Sequence, residues 1–138
     1  MSTNLQVITD ALRGLNVIDE TETPSAEQGV HCLRQMNQML AQWKEVDGID
    51  LGYFEQSSTA ATCPIPAWAE MGVAGKLALR VASDYGAEVS MGTAAKADDG
   101  YSAILRVLIN QKLEGADMSH LPQGTGHYGS GYNILTGE

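Results

Sequence analysis

His31 and Cys32 stand side by side, and with Cys63, His120 and His127 they are the residue types in this chain suited to binding a metal or attacking an electrophile. Their spacing supports neither chemistry. The pattern around residue 31 is helical, so the neighbours His31 and Cys32 point roughly 100° apart and are badly placed to share one ion. His120 and His127 have only Asp117 as a nearby carboxylate. The two cysteines fit no disulfide framework or zinc spacing. Neither has a local base or a helix N-terminus to generate a thiolate. A literal GxGxxG runs from Gly124 to Gly129, but no strand precedes it and only nine residues follow, too few for a dinucleotide-binding unit. Asp98 and Asp99 are expected at the start of a helix, where they complement its dipole. No catalytic, cofactor-binding or metal-binding residue is assigned, and the chain is expected not to be an enzyme.

What these residues sit on is a chain of 138 residues, 43% hydrophobic and 18% charged, with net charge −9. That is one domain of ordinary globular composition. No apolar run approaches the roughly 20 residues of a membrane span. The first residues, MSTNLQVITD, carry neither a basic start nor an apolar block, so no signal peptide is expected. Between Val17 and Glu55 the acids Asp19, Glu20, Glu22, Glu27, Glu45, Asp47, Asp50 and Glu55 face only Arg34 and Lys44. This reads first as a solvated acidic rim and second as a surface kept negative against polyanions, while the net charge argues against general nucleic-acid binding. Cys32 reads as a small core residue in a reducing compartment.

The hydrophobic period predicts an all-α protein, a small four-helix bundle. Leu5, Ile8, Leu12 and Leu15 mark a first helix ending near Gly14. Thr23-Pro24 reads as the cap and first residue of a second, whose face is Ala26, Val30, Leu33, Met36, Leu40 and Trp43 and whose stop is Asp47-Gly48. From 49 to 62 the alternation of Ile49, Leu51 and Tyr53 and the weak helix formers Ser57, Ser58 and Thr59 predict an extended arm or hairpin. It is expected to project, with Leu51, Tyr53 and Phe54 as anchors for a neighbouring subunit or ring, the alternative being that these side chains pack on the bundle's own side. A third helix is expected from about Ala67 to Val89, with Gly75, Ala78, Ala82 and Gly86 as a small-residue stripe and Trp68, Met71, Leu77, Val81 and Tyr85 filling the core. Arg80 and Asp84 are spaced for an i,i+4 pair on it. The fourth is expected from Thr93, with Tyr101, Ile104, Leu105, Leu108, Ile109 and Leu113 as its stripe and Gly115 as its C-cap.

Residues 115–138 differ from this helical domain of residues 1–114. They hold six of the fifteen glycines and no Lys or Arg. Without a hydrophobic period they cannot offset their own ordering entropy, so an extended C-terminal tail is expected, mobile in the free protein and ordered on a partner. A pure spacer would lack apolar side chains, whereas Leu121, Pro122, Tyr128, Tyr132, Ile134 and Leu135 are candidates for that docking.

The run Ala11-Leu12-Arg13-Gly14-Leu15, then Thr23 to Gln28, Leu33, Met36 to Leu40, Trp43, Asp47-Gly48 and Leu51-Gly52-Tyr53, resembles the head-to-tail adaptors of tailed phages. More narrowly it is similar to the packaged-DNA stabilisation (tail accessory factor) family of short-tailed phages. Trp68-Ala69, Leu77 to Arg80, Ala82 to Gly86 and the His-Leu-Pro-x-Gly segment at 120–124 continue the match, which covers most of residues 5–124. The resemblance implies a structural protein of the virion, assembled in the host cytoplasm and sited at the head-tail junction. It implies twelve copies beneath the portal protein, extending the DNA channel, helping retain the packaged genome and offering a platform to a downstream tail or nozzle protein. DNA would pass without specific binding, no membrane or cofactor being involved. The residues alone also allow a stand-alone helical protein-binding module or regulator, which size-exclusion mass with and without portal would separate.

Overall fold

A computed structural model of the protein describes residues 1–115. Four helices form the body: α1 (Asn4–Gly14), α2 (Ala26–Gln42), α3 (Glu70–Val81) and α4 (Met91–Gly115). There is no strand among the described residues, only a single antiparallel bridge between Thr3 and Thr62. The all-α expectation holds.

Side-chain caps set the helix starts. Thr3 accepts a hydrogen bond from the Gln6 N–H, and the Gln6 side chain accepts one from the Thr3 N–H, closing a capping box on α1. Ser25 and Gln28 do the same for α2. The cap of α2 is therefore Ser25, two residues beyond the expected Thr23, because only Ser25 has a Gln at the third helical position. The helix widens into one π-turn over Trp43–Asp47 and stops at Gly48, whose φ of 70° is left-handed. Gly86, at φ 63°, ends a 3₁₀ turn after α3, short of the expected Val89. α4 starts at Met91 because Ser90 Oγ accepts from the Thr93 N–H. Asp98 and Asp99 consequently lie past its first turn, which holds no acid, and they complement no dipole. Asp98 pairs with Lys76 instead, at 3.0 Å.

α3 is the central helix, packed on α4, α1 and α2. Its contact with α4 is a seam of small residues: a Cβ added to Gly72 would lie 2.7 Å from Gly100 backbone atoms, and one added to Gly75 would lie 2.7 Å from the Ala97 Cα. Close approach was expected from Gly75, Ala78, Ala82 and Gly86, but the seam runs through Gly72 and Gly75. Elsewhere the core is Val7, Ile8 and Leu12 of α1, Cys32, Leu33, Met36 and Leu40 of α2, Val73, Leu77 and Val81 of α3, and Ile104 of α4. Trp68 and Met71 do not fill it. Trp68 sits in a 3₁₀ turn ahead of α3, and Met71 falls beside the glycine seam, leaving them 40% and 54% exposed. Val30 is exposed as well, on the outer side of α2.

Candidate assembly surface

The segment 49–62 is extended but lies along the bundle rather than projecting. Ile49 and Leu51 are buried in the chain's own core. Its carbonyls cap α1: the N–H groups of Asn4 and Leu5 donate to Ala61 O and Thr59 O at 2.9 and 2.8 Å, satisfying donors that a helix start leaves orphaned. Two asparagines fasten it further. Asn4, fully buried, donates through Nδ2 to Ser58 O at 2.8 Å and to Gln56 Oε1 at 3.1 Å. Asn37 on α2 donates to Gln56 O at 2.9 Å, while its own Oδ1 accepts from the Gln56 N–H at 3.0 Å and from the Tyr53 hydroxyl. Burial pushes the Tyr53 phenol well above its ordinary value, so it remains a donor. Gln56 Nε2 then donates to Phe54 O at 3.0 Å.

Of the three expected anchors, Leu51 thus belongs to the core, Tyr53 is half-buried as a latch, and Phe54 alone faces outward, at 66% exposure. The fixed backbone on both sides of Phe54 holds its ring up as a knob. Separable effects are expected. Tyr53→Phe removes one hydrogen bond and should lower unfolding stability by about 1 kcal/mol. Phe54→Ser should change stability by less than about 0.5 kcal/mol, as for other exposed positions, while impairing assembly. Denaturant unfolding beside an assembly assay reads both.

On other elements a cleft of about 630 Å³ opens between the end of α1, the outer side of α3 and the start of α4. Its apolar surface comes from Gly14, Ala67, Met71, Ala74 and Ala78, and Asp10, Arg13, Glu70 and Lys96 supply its charge. Thr93 Oγ1 donates to Gly14 O at 2.8 Å and ties the end of α1 to the start of α4. Partial burial raises the Asp10 carboxyl above its usual range, with Arg13 opposing and Glu70 adding to the rise. Glu70 accepts from Ser2 Oγ at 2.8 Å. An open, partly apolar groove with charges of both signs suits the capture of a side chain or peptide. Beyond it, the distal part of α4 leaves Ile109 and Leu113 more than half exposed.

Among the described residues, those suited to chemistry have other partners. His31 Nε2 lies 2.9 Å from Asp84 Oδ2, so the expected Arg80–Asp84 pair does not form, and Arg80 Nε donates to Gln35 instead. Cys32 is fully buried beside the Tyr85 hydroxyl, at 3.7 Å, and burial raises its thiol. Burial likewise pushes the Cys63 thiol up to about 11. Both therefore stay protonated near neutrality. Among the described residues no group of three His, Cys, Asp or Glu could hold a metal ion. Nor is any described helix long and apolar enough to cross a membrane. His120, His127, the glycine run and the docking candidates Leu121, Pro122, Tyr128, Tyr132, Ile134 and Leu135 lie outside the described residues.

The knob's partners Asn37 and Gln56 and the three-helix cleft escaped sequence reasoning, since both join residues far apart in the chain. The one available signal was Phe54 itself, a large apolar residue in a polar stretch. Compared with known proteins, the chain matches along residues 1–136 a family described as P22 tail accessory factor. No curated protein matches it.

Proposed function

The chain belongs to the P22 tail accessory factor family, and from that membership we propose that it is a head-to-tail adaptor, a structural component of the virion that binds beneath the portal ring. Twelve copies extend the DNA channel there, help retain the packaged genome and present a platform to a later tail or nozzle protein. The observation that most supports this reading is the fixed exposure of Phe54 on a well-packed body, with Ile109 and Leu113 exposed on α4. Four hydrogen bonds, among Asn37, Tyr53 and Gln56 and from Gln56 to Phe54 O, fix the backbone that carries this exposed ring, which suits it to contact with another protein surface. No reaction and no cofactor is part of this role. The direct test is co-sedimentation with purified portal rings: saturable attachment supports the role, and free protein at every portal concentration contradicts it.

The same reading makes the protein a passive guide for DNA. Phosphate binding needs cations gathered on one face so that counterions are released together. Here Lys76 is committed to Asp98 and lies 5.0 Å from the centre of the Tyr101 ring. Arg13 and Lys96 line the cleft, and Arg80 holds Gln35. In a mobility-shift titration at physiological salt no duplex DNA should be retarded by micromolar protein. Retardation with a steep salt slope would show that the cations converge and would contradict the passive role.

A further inference from the structure

The knob and the cleft share no residue. The surface around Phe54 is built by α2, Lys44 and Glu45 of the π-turn that follows it, and residues 53–55, whereas the cleft is built by α1, the turn ahead of α3, α3 and α4. They are therefore two distinct patches of one molecule, as a head-to-tail contact that repeats from copy to copy requires. We infer that Phe54 of one copy seats in the α1–α3–α4 cleft of the next. Four observations carry this.

Phe54 is exposed on a backbone already fixed by Asn37 and Gln56, so docking orders little that is not ordered beforehand. The cleft offers what an aromatic ring needs: small residues, Gly14, Ala74 and Ala78, that leave room, and the half-exposed Met71, whose thioether packs well against ring edges. Its volume of about 630 Å³ admits a whole side chain with its neighbours. Charge agrees too. Glu55, next to the knob, has no ion-pair partner among the described residues, and neither has Lys96 at the cleft. The cleft's own acids are engaged differently, Glu70 with Ser2 Oγ and Asp10 beside Arg13. Seating Phe54 thus brings Glu55 of one copy towards Lys96 of the next.

This contact rests on the ring reading above and names the two faces that meet in it. A chain carrying both Glu55→Cys and Lys96→Cys, bound to portal, is treated with a short bis-maleimide. The native thiols do not compete, since Cys32 and Cys63 are buried. A covalent ladder of copies is expected, formed at least about tenfold faster than with the control pair Glu27→Cys and Lys96→Cys, because docked thiols meet at millimolar effective concentration. Adding Phe54→Ser should abolish the ladder. A ladder no stronger than the control's, or one that survives Phe54→Ser, overturns the contact. Attachment to portal without the ladder leaves the adaptor role standing and refutes only the contact. A ladder in concentrated free protein that never attaches to portal does the reverse.

Discussion

Removing residues 119–138 is expected to abolish attachment to portal while leaving the helical circular dichroism nearly unchanged. Every residue of the described core lies between Val7 and Ile104, and the four described helices lie within residues 4–115. The deleted stretch contains Leu121, Tyr128, Tyr132, Ile134 and Leu135. An apolar-bearing segment of this composition gains its free energy by docking on another surface, as when a peptide lies along a groove or adds to a sheet edge. Truncated and intact chains are compared by co-sedimentation with portal. Full attachment by the truncated chain would place the docking surface on the helical body and overturn the assignment of residues 115–138 to the portal.

The largest loss of stability is expected from filling the glycine seam. A Cβ on Gly100 would stand 2.6 Å from the Cα and N of Gly72, closer than real carbon contacts come, and both obstacles are backbone. Neither can rotate away, so α3 and α4 must separate. Gly100→Ala should cost about 1–3 kcal/mol, as overpacking generally does, against a total of about 5–15 kcal/mol for a domain. Ordinary helix propensity predicts the opposite sign, since alanine is better than glycine in a helix by about 1 kcal/mol. The control is Gly92→Ala, where an added Cβ meets only Ser90 Oγ, at 3.9 Å. It should be neutral or slightly stabilising. Urea unfolding of the two variants decides between seam and propensity, and a stabilised Gly100→Ala protein would mean that the helices do not pack this closely.

The same seam shows where sequence reading stops. Leu12, Leu33, Met36, Leu77 and Ile104 announced their helices because a buried apolar side chain leaves a period in the sequence. A lone glycine at a helix crossing leaves none: Gly75 was legible through its stripe with Ala78, but Gly72 and Gly100 were not, and Met71 beside them was read as core. Caps were legible only in part: Gly48 closed α2 where expected, but the choice between Thr23 and Ser25 depended on Gln28 reaching back. Segment 49–62 was recognisably extended. What holds it down is Asn4 and Asn37 reaching across the fold, contacts that no local pattern encodes. Consequently Leu51, Tyr53 and Phe54 looked alike in the sequence and lie in three different environments in the protein.

Whether this chain joins a portal ring in fixed number decides the adaptor role. The decisive measurement is the mass of portal rings saturated with the purified protein, read together with low-resolution images of the same particles. The account predicts a particle heavier by twelve copies of the chain, forming one added ring coaxial with the portal channel. An unchanged portal mass, or copies bound in variable number away from the channel axis, would contradict it.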